Sequence, residues 1–390
     1  MRKFMGFVAA GAFALTTGMA AADEPPLKIG LIMTYSGPFA TYGHQADIGV
    51  ESYIKAHGDT IAGRKIEIVR KDDTGLAPDV SKRVTQELAV RDKVDIIFGG
   101  CWSPNALASA PVVTEAKIPF FIIVAATDGI PAKSPYMVRL SSPVSVPVYT
   151  MGKWASEKMG WKTGYSAVAD YVLGTAGAQA FRQGMEAGGG KVIGEVRIPV
   201  SNPDFTPFVQ RIKEAHPQVA QLFLPAGALA EGFVKVYHDI GLAKDGINLL
   251  SGPLSEVQPM ETLGDYVDGV YSGGNWIEDN KSPANQEFLK AIHDTQGPDA
   301  HPGFVAMDVW DALNITRQVV EAQKGKVDPD KTMSLLRGHE FVSPRGPIAF
   351  DMNGEIVQNI YLRQAVMENG KMVMKDITTV PMVKAPTLTQ

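Results

Sequence analysis

Short apolar runs alternate, along the first third of the chain, with longer stretches whose apolar positions recur every three or four residues. Leu27 to Met33, Lys65 to Arg70, Val94 to Phe98 and Pro119 to Val124 have the length and content of strands. Between them, segments through Asp47 to Ala56, Val80 to Arg91 and onward from Ser103 carry the helical period. Short apolar strands separated by amphipathic helices predict a parallel sheet covered on both faces. In such sheets ligands collect at the carboxyl ends of the strands, where loops and helix N-termini converge.

The same alternation starts again near Val144. Strands are predicted at Thr163 to Ala169, Lys191 to Val196, Val219 to Leu224 and Ile247 to Leu250. Helices are predicted at Val146 to Met159, Thr175 to Ala187, Phe205 to Glu214 and Leu229 to Ile240. After Tyr271 to Trp276 the rhythm changes. Helices at Asn285 to His293 and Phe304 to Ala322 precede three strand-like segments, Gly346 to Met352, Gly354 to Gln364 and Lys371 to Lys375. That closing portion is too small for a third domain, so it completes the first two, with the chain crossing between them more than once. The expected division gives residues 23–145 and 274–347 to one lobe, and 146–273 and 348–390 to the other.

The N-terminus changes the cellular picture. Arg2 and Lys3 precede an apolar stretch, Phe4 to Thr17, and Ala20-Ala21-Ala22 supplies small residues before Asp23. This is the form of a cleavable secretory signal over residues 1–22; it is too short to span a membrane stably. The expected product is a soluble periplasmic protein of 368 residues, long enough for two cores. With 45% hydrophobic and 20% charged residues the composition is that of a globular protein. The net charge of -5 becomes -7 once Arg2 and Lys3 are lost, which disfavours nucleic acid or an anionic membrane as partner. A single cysteine, Cys101, cannot form an internal disulfide and reads as a buried small hydrophobe.

No residue set calls for catalysis, a metal or a cofactor. The seven histidines form no i, i+4 pair, Ser103 lacks a G-x-S-x-G elbow, and no GxxxxGK[ST] is present. Gly188-Gly189-Gly190 follows a helix and ends it. Gly99-Gly100, by contrast, turns the chain sharply after a buried strand, and Ser103-Pro104 then has the form of a helix start with Ser103 as cap. A helix N-terminus beside a hydroxyl suits a carboxylate; it is equally the form of an ordinary capped helix.

Several local motifs follow one another in a telling order. They are Ile29-Gly30-Leu31 through Ser36-Gly37-Pro38-Phe39-Ala40-Thr41-Tyr42-Gly43, then Asp72-Asp73-Thr74-Gly75, Ile97-Phe98-Gly99-Gly100 running to Ser103, Ala116-Lys117-Ile118-Pro119, and Phe350-Asp351-Met352-Asn353-Gly354. Together they resemble the leucine/isoleucine/valine-binding family of periplasmic proteins, over Ile29 to about Val373. The resemblance implies an α/β, two-lobed type I periplasmic binding protein fold, each lobe a parallel-sheet α/β/α sandwich, joined by a multi-strand hinge. It further implies a monomer that closes on a small organic solute and delivers it to the membrane permease of an ABC importer. A periplasmic sensor on the same fold and a Rossmann-like enzyme are the rival classes.

The resemblance also implies a site. Ser103 falls at a position that meets a ligand carboxylate, Ala125 and Thr127 at positions that serve the same end of the ligand, and Tyr42 at one that lines the cleft. Thr127 could equally satisfy its own turn with Asp128 and Gly129. Trp102 is either core packing or a cleft-facing aromatic. From the second lobe, Tyr171 stands two residues before Leu173, which replaces a tyrosine common in amino-acid binders. Ala226 takes the place of aromatic-rich matches, and Trp276, with Asn275, stands where the chain should cross between lobes. The amino-acid binders place a glutamate after a Gly-Pro pair to meet the ligand ammonium. Here Leu254 follows Gly252-Pro253, with Glu256 two residues beyond. The expected ligand is therefore a small carboxylic acid, aliphatic or aromatic; branched-chain amino acids or amides are the alternative.

Overall fold

The computed structural model describes residues 24–386 except 202, 226 and 253–262. The proposed leader, Ala226, Leu254 and Glu256 lie outside the described residues.

Six strands form the first sheet: β1 (Leu27–Met33), β2 (Thr60–Ile61), β3 (Arg64–Asp72), β4 (Ile96–Gly99), β5 (Phe120–Ile122) and β6 (Met137–Arg139), in the order β2-β3-β1-β4-β5-β6. All pairings but β2 with β3 are parallel. Helices α1 (Thr41–His57), α2 (Pro78–Glu87) and α3 (Ser103–Ala116) connect them. One face of this sheet packs Leu27, Ile29 and Leu31 against apolar residues of α1; the other packs Ile32, Ile97 and Ile122 with α2 and α3. Burial on both faces accounts for the mostly apolar sequences of β1, β4 and β5.

The second sheet is mixed. Its parallel part, β8-β7-β9-β10-β11, comprises β7 (Thr163–Ala169), β8 (Lys191–Ile198), β9 (Val219–Phe223), β10 (Asn248–Ser251) and β11 (Tyr271–Gly274). It is dressed by α4 (Ser145–Glu157), α5 (Val172–Ala187), α6 (Thr206–Ala215) and α7 (Ala228–Ile240). The expectation of a purely parallel sheet fails at the C-terminus. There β12 (Glu340–Ser343), β13 (Gly346–Phe350), β14 (Ile356–Glu368) and β15 (Lys371–Val383) return through short turns and can pair only antiparallel.

Before those strands, α8 (Pro283–Gln296), α9 (Phe304–Ala322) and α10 (Pro329–Leu336) cover the first sheet, burying Phe288, Val305, Leu313 and Leu336 in its core. The β12–β13 hairpin hydrogen-bonds to the second sheet while Phe341, Ile348 and Phe350 pack into the first core. Strand β14 likewise begins in the first core at Ile356 and ends in the second at Ile360 and Leu362. Among the described residues the chain thus crosses between the cores three times: after β6, after β11 and along β14.

One side chain ties the three crossings together. Arg345 is fully buried and donates to the carbonyl of Leu140 on the first crossing (3.0 Å) and to Gln358 Oε1 on the third (3.0 Å). Gln358 Oε1 also accepts from Asn275 Nδ2 on the second (3.2 Å). The guanidinium meets both Asp308 and Asp311 of α9, the latter at 2.8 Å, and Tyr361 donates back to the Arg345 carbonyl at 2.6 Å.

One cation thus faces two fully buried acids. Burial, reinforced by the neighbouring Asp311 and only partly offset by Arg345, pushes Asp308 up to about 7. A carboxyl whose pKa is higher folded than unfolded stabilises most below its unfolded value, near 4, and loses that contribution as pH rises through the folded value. Stability from this group should therefore fall between about pH 4 and pH 7 and then level off. Asp308→Asn leaves a one-to-one pair of Arg345 with Asp311. Urea unfolding at pH 5 and pH 7.5 should give a smaller difference for Asp308→Asn than for the wild type; an unchanged difference would assign the pH dependence elsewhere.

Candidate functional site

The loops after β1, β4 and β5 converge beside the start of α3. Gly99 and Gly100 make the turn possible: a Cβ on Gly99 would lie 2.6 Å from the Ile32 carbonyl oxygen, and Gly100 has φ of +78°. Helix α3 begins at Ser103, with Trp102 at the capping position and no side chain capping it. The expectation that Ser103 caps this helix is corrected. Ser103 is the first helical residue, and its hydroxyl turns toward the neighbouring loop instead. There Ser103 Oγ accepts from the Thr127 backbone N–H at 3.3 Å. The uncapped helix end, the Ser103 hydroxyl and the Thr127 backbone are thereby gathered at one point, a grouping suited to an anion.

Thr127 is held from below as well. Arg139, fully buried at the end of β6, donates to the Thr127 carbonyl at 2.6 Å and to that of Ala125 at 3.2 Å, and pairs with Glu355. Ser141 also donates to the Ala125 carbonyl, while the Ala125 N–H donates to Gly100 (both 2.8 Å). Both Ala125 backbone groups are therefore engaged within the first lobe, so Ala125 shapes the loop. Asp128 accepts from Ser145 at the start of α4, and burial raises its carboxyl pKa.

Tyr42 and Trp102 belong to one aromatic cluster with two residues the sequence reading had not singled out, Phe39 and Phe304. The Phe39 ring meets Trp102 edge-on, with centroids 4.8 Å apart and planes at 82°. It lies nearly parallel to Tyr42 at 6.3 Å, and Tyr42 meets Trp102 at 6.5 Å and Phe304 at 6.3 Å. Phe39 remains 45% exposed, whereas Tyr42 and Trp102 are half-buried. Trp102 is thus neither wholly core nor wholly cleft. The signal for Phe39 lay in the motif itself, an aromatic between Pro38 and Tyr42 in a strand-end loop.

Asp72 and Asp73 organise the first loop. Asp72 Oδ1 accepts from the N–H groups of Tyr35 (2.9 Å) and Thr74 (2.8 Å), and Asp73 is buried beneath Thr34 and Asn105. Cys101 is buried against Met33, and burial, the largest cause, pushes its thiol up to about 12.

From the second lobe, Tyr171 precedes α5 with its ring partly exposed, and burial of the rest raises its hydroxyl pKa. Leu173 packs inward on its own lobe, so Tyr171 is the aromatic this turn presents. The turn is tight: a Cβ on Gly174 would fall 1.8 Å from the Ala169 carbonyl oxygen. Trp276 follows β11 and turns away to the first core, donating to Asn285 Oδ1 at 2.9 Å and meeting Phe288 edge-on. Its partners make it a fixture of the second crossing.

Residues 26–371 match the profile of the family described as periplasmic binding protein. The chain belongs to that family. A protein of Brucella abortus (strain 2308) named Leu/Ile/Val-binding protein homolog 6 is 33% identical over 380 residues, 97% of each chain. The structure superposes on a solute-binding protein of an ABC transporter from Rhodopseudomonas palustris BisB5, solved with 3,4-dihydroxybenzoic acid, with a TM-score of 0.82. The two are 36% identical, and the match covers 93% of this chain and 99% of that one. A second such protein, from R. palustris HaA2 and solved with p-hydroxybenzoic acid, gives a TM-score of 0.84 at 34% identity, over 93% and 98% of the chains. The chain is accordingly a non-catalytic solute-binding protein of the ABC-importer superfamily, with the bilobed type I fold.

Proposed function

We propose that this protein captures a small aromatic carboxylic acid in the periplasm, after export by its leader, and delivers it to a membrane permease. The observation that carries the reading is the meeting of an anion-suited corner with an aromatic wall. Ser103, Thr127 and the uncapped start of α3 stand directly beside Trp102, Phe39 and Tyr42. Tyr171 would close from the second lobe over the ring. The R. palustris relatives solved with hydroxybenzoic acids support the same ligand class. The Brucella relative's name favours a branched-chain amino acid as the second reading. A thermal-shift screen of benzoates and cinnamates against leucine, isoleucine and valine separates the two; stabilisation by the amino acids alone would overturn the proposal.

In this reading Ser103 donates to the ligand carboxylate while it accepts from Thr127. Ser103→Ala should weaken acid binding by roughly 1 to 3 kcal/mol without abolishing it, because the helix N–H groups remain. Calorimetry on the folded variant checks this, and unaltered affinity would remove Ser103 from the site.

A further inference from the structure

The Trp102 side chain is anchored through its only polar atom. Its indole Nε1 donates to Thr34 Oγ1 at 3.2 Å, and the Thr34 hydroxyl donates to Asp73 Oδ1 at 2.6 Å. Thr34 and Asp73 are both fully buried. Asp73 is itself fixed, accepting from Asn105 Nδ2 at 3.0 Å and from the Gly75 N–H at 3.2 Å.

The directions of these bonds follow from the chemistry of the groups. An indole N–H can only donate, so Thr34 must accept from it; the one hydroxyl proton of Thr34 then goes to the carboxylate. An alanine or valine at position 34 would leave the indole N–H without its acceptor, and the ring would be free to turn. A charged acceptor at the end of the relay makes the Thr34–Asp73 step the stronger of the two. The outcome is an indole held with its nitrogen edge inward and Phe39 against it, centroids 4.8 Å apart. Neither Thr34 nor Asp73 reaches the surface, so neither can touch a solute.

We propose that Thr34, backed by Asp73, is a positioning residue for solute selectivity: it locks the Trp102 indole against Phe39 in the pose that favours a flat aromatic ring over a saturated one. The inference rests on the aromatic-acid reading above. A planar ring gains from aligned aromatic neighbours through its quadrupole, while a saturated ring of similar size gains only contact area. Rotation of the indole should therefore penalise one class and spare the other.

The test is calorimetric, with benzoate and cyclohexanecarboxylate as probes on wild type, Thr34→Val and Thr34→Ser. Thr34→Val should lose about tenfold in benzoate affinity. It should change cyclohexanecarboxylate affinity by less than about twofold, so the ratio collapses. Thr34→Ser keeps the hydroxyl and should keep the ratio. In the ligand-free protein, the Trp102 indole proton, assigned by its loss in Trp102→Phe, should exchange faster in Thr34→Val than in wild type or Thr34→Ser. Equal losses for both acids, an unchanged ratio, or Thr34→Ser behaving like Thr34→Val would overturn the inference alone. Wild-type protein that binds neither acid would overturn the aromatic-acid reading and this inference with it.

Discussion

Replacing Arg345 with methionine should cost the protein about 3 to 5 kcal/mol of stability at neutral pH, the largest effect expected of any single substitution described above. Methionine fills much of the space, so the loss comes from charge rather than from a void. It leaves Asp308 and Asp311 buried without a cation, and releases the Leu140 carbonyl and Gln358 from their shared donor. Buried acids escape this cost by protonation, so the deficit should shrink as pH falls toward 5. Adding Asp308→Asn and Asp311→Asn to the same variant should recover much of the loss, since no uncompensated charge then remains. Urea unfolding of the three proteins at pH 5 and 7.5 measures all of this. A deficit that is the same at both pH values, or that persists in the triple variant, would mean that Arg345 acts through packing.

Placed where all three crossings meet, this network also constrains how the lobes can move. Leu140, Asn275 and Gln358 each belong to a different crossing, and all are drawn to one buried guanidinium or to the amide it holds. Motion between the lobes must then bend the segments beyond this knot. The bonds from Arg139 to Thr127 and Ala125 extend the same rigid base to the floor of the candidate site. In the proposed reading, a solute corner backed by buried, hydrogen-bonded groups would lose little entropy on binding.

How far these features could be read from the sequence follows from the range of the interactions. Strands β1 and β7 and helix α9 coincide with their predicted limits, because a local apolar pattern and a real element share the same residues. Helix α10 was not predicted although Asp328-Pro329 announces it: the Asp328 side chain accepts from the Lys331 N–H. Strand β15 runs to Val383, well beyond the predicted Lys375. It is an outer strand whose exposed residues, such as Asp376, Thr378 and Thr379, carry no apolar run. Strand β6 is only three residues long and ends in an arginine, so nothing local marks it.

The site divides in the same way. The resemblance assigned Ser103 and Thr127 to the same end of a ligand, and the two are neighbours, joined by a hydrogen bond. The relay from Trp102 through Thr34 to Asp73 could not be read this way, since its members are 68 and 39 residues apart and share no local pattern. The Arg345 network left one sign: Asp308 and Asp311, at i, i+3, interrupt the otherwise apolar first half of their helix, Phe304 to Leu313, and acids on a buried face require a cation. The sequence could name the need for that cation but not where along the chain it would come from.

The aromatic-acid reading makes its sharpest claim about what the ligand lacks. Phenylacetate and phenylglycine differ only by an α-ammonium, and so do 4-methylpentanoate and leucine. At the carboxylate end each pair would meet the same groups, Ser103, Thr127 and the start of α3. In this reading the difference arises at the position where the resemblance puts the glutamate of amino-acid binders and the sequence has Leu254. Of the acids that could stand in, Asp170 lies 3.8 Å from Arg197, and Asp128 is bonded to Ser145. An ammonium enclosed there without a partner would cost several kcal/mol, so each amine-free acid should bind at least about a hundredfold more tightly than its amino analogue. Phenylacetate should in turn exceed 4-methylpentanoate, because Phe39, Tyr42 and Trp102 reward a ring. Calorimetry with the four compounds decides both steps. Micromolar binding of leucine without measurable binding of 4-methylpentanoate would overturn the reading and make Glu256 the first residue to replace, since it alone follows Gly252-Pro253 closely enough to take the glutamate's part.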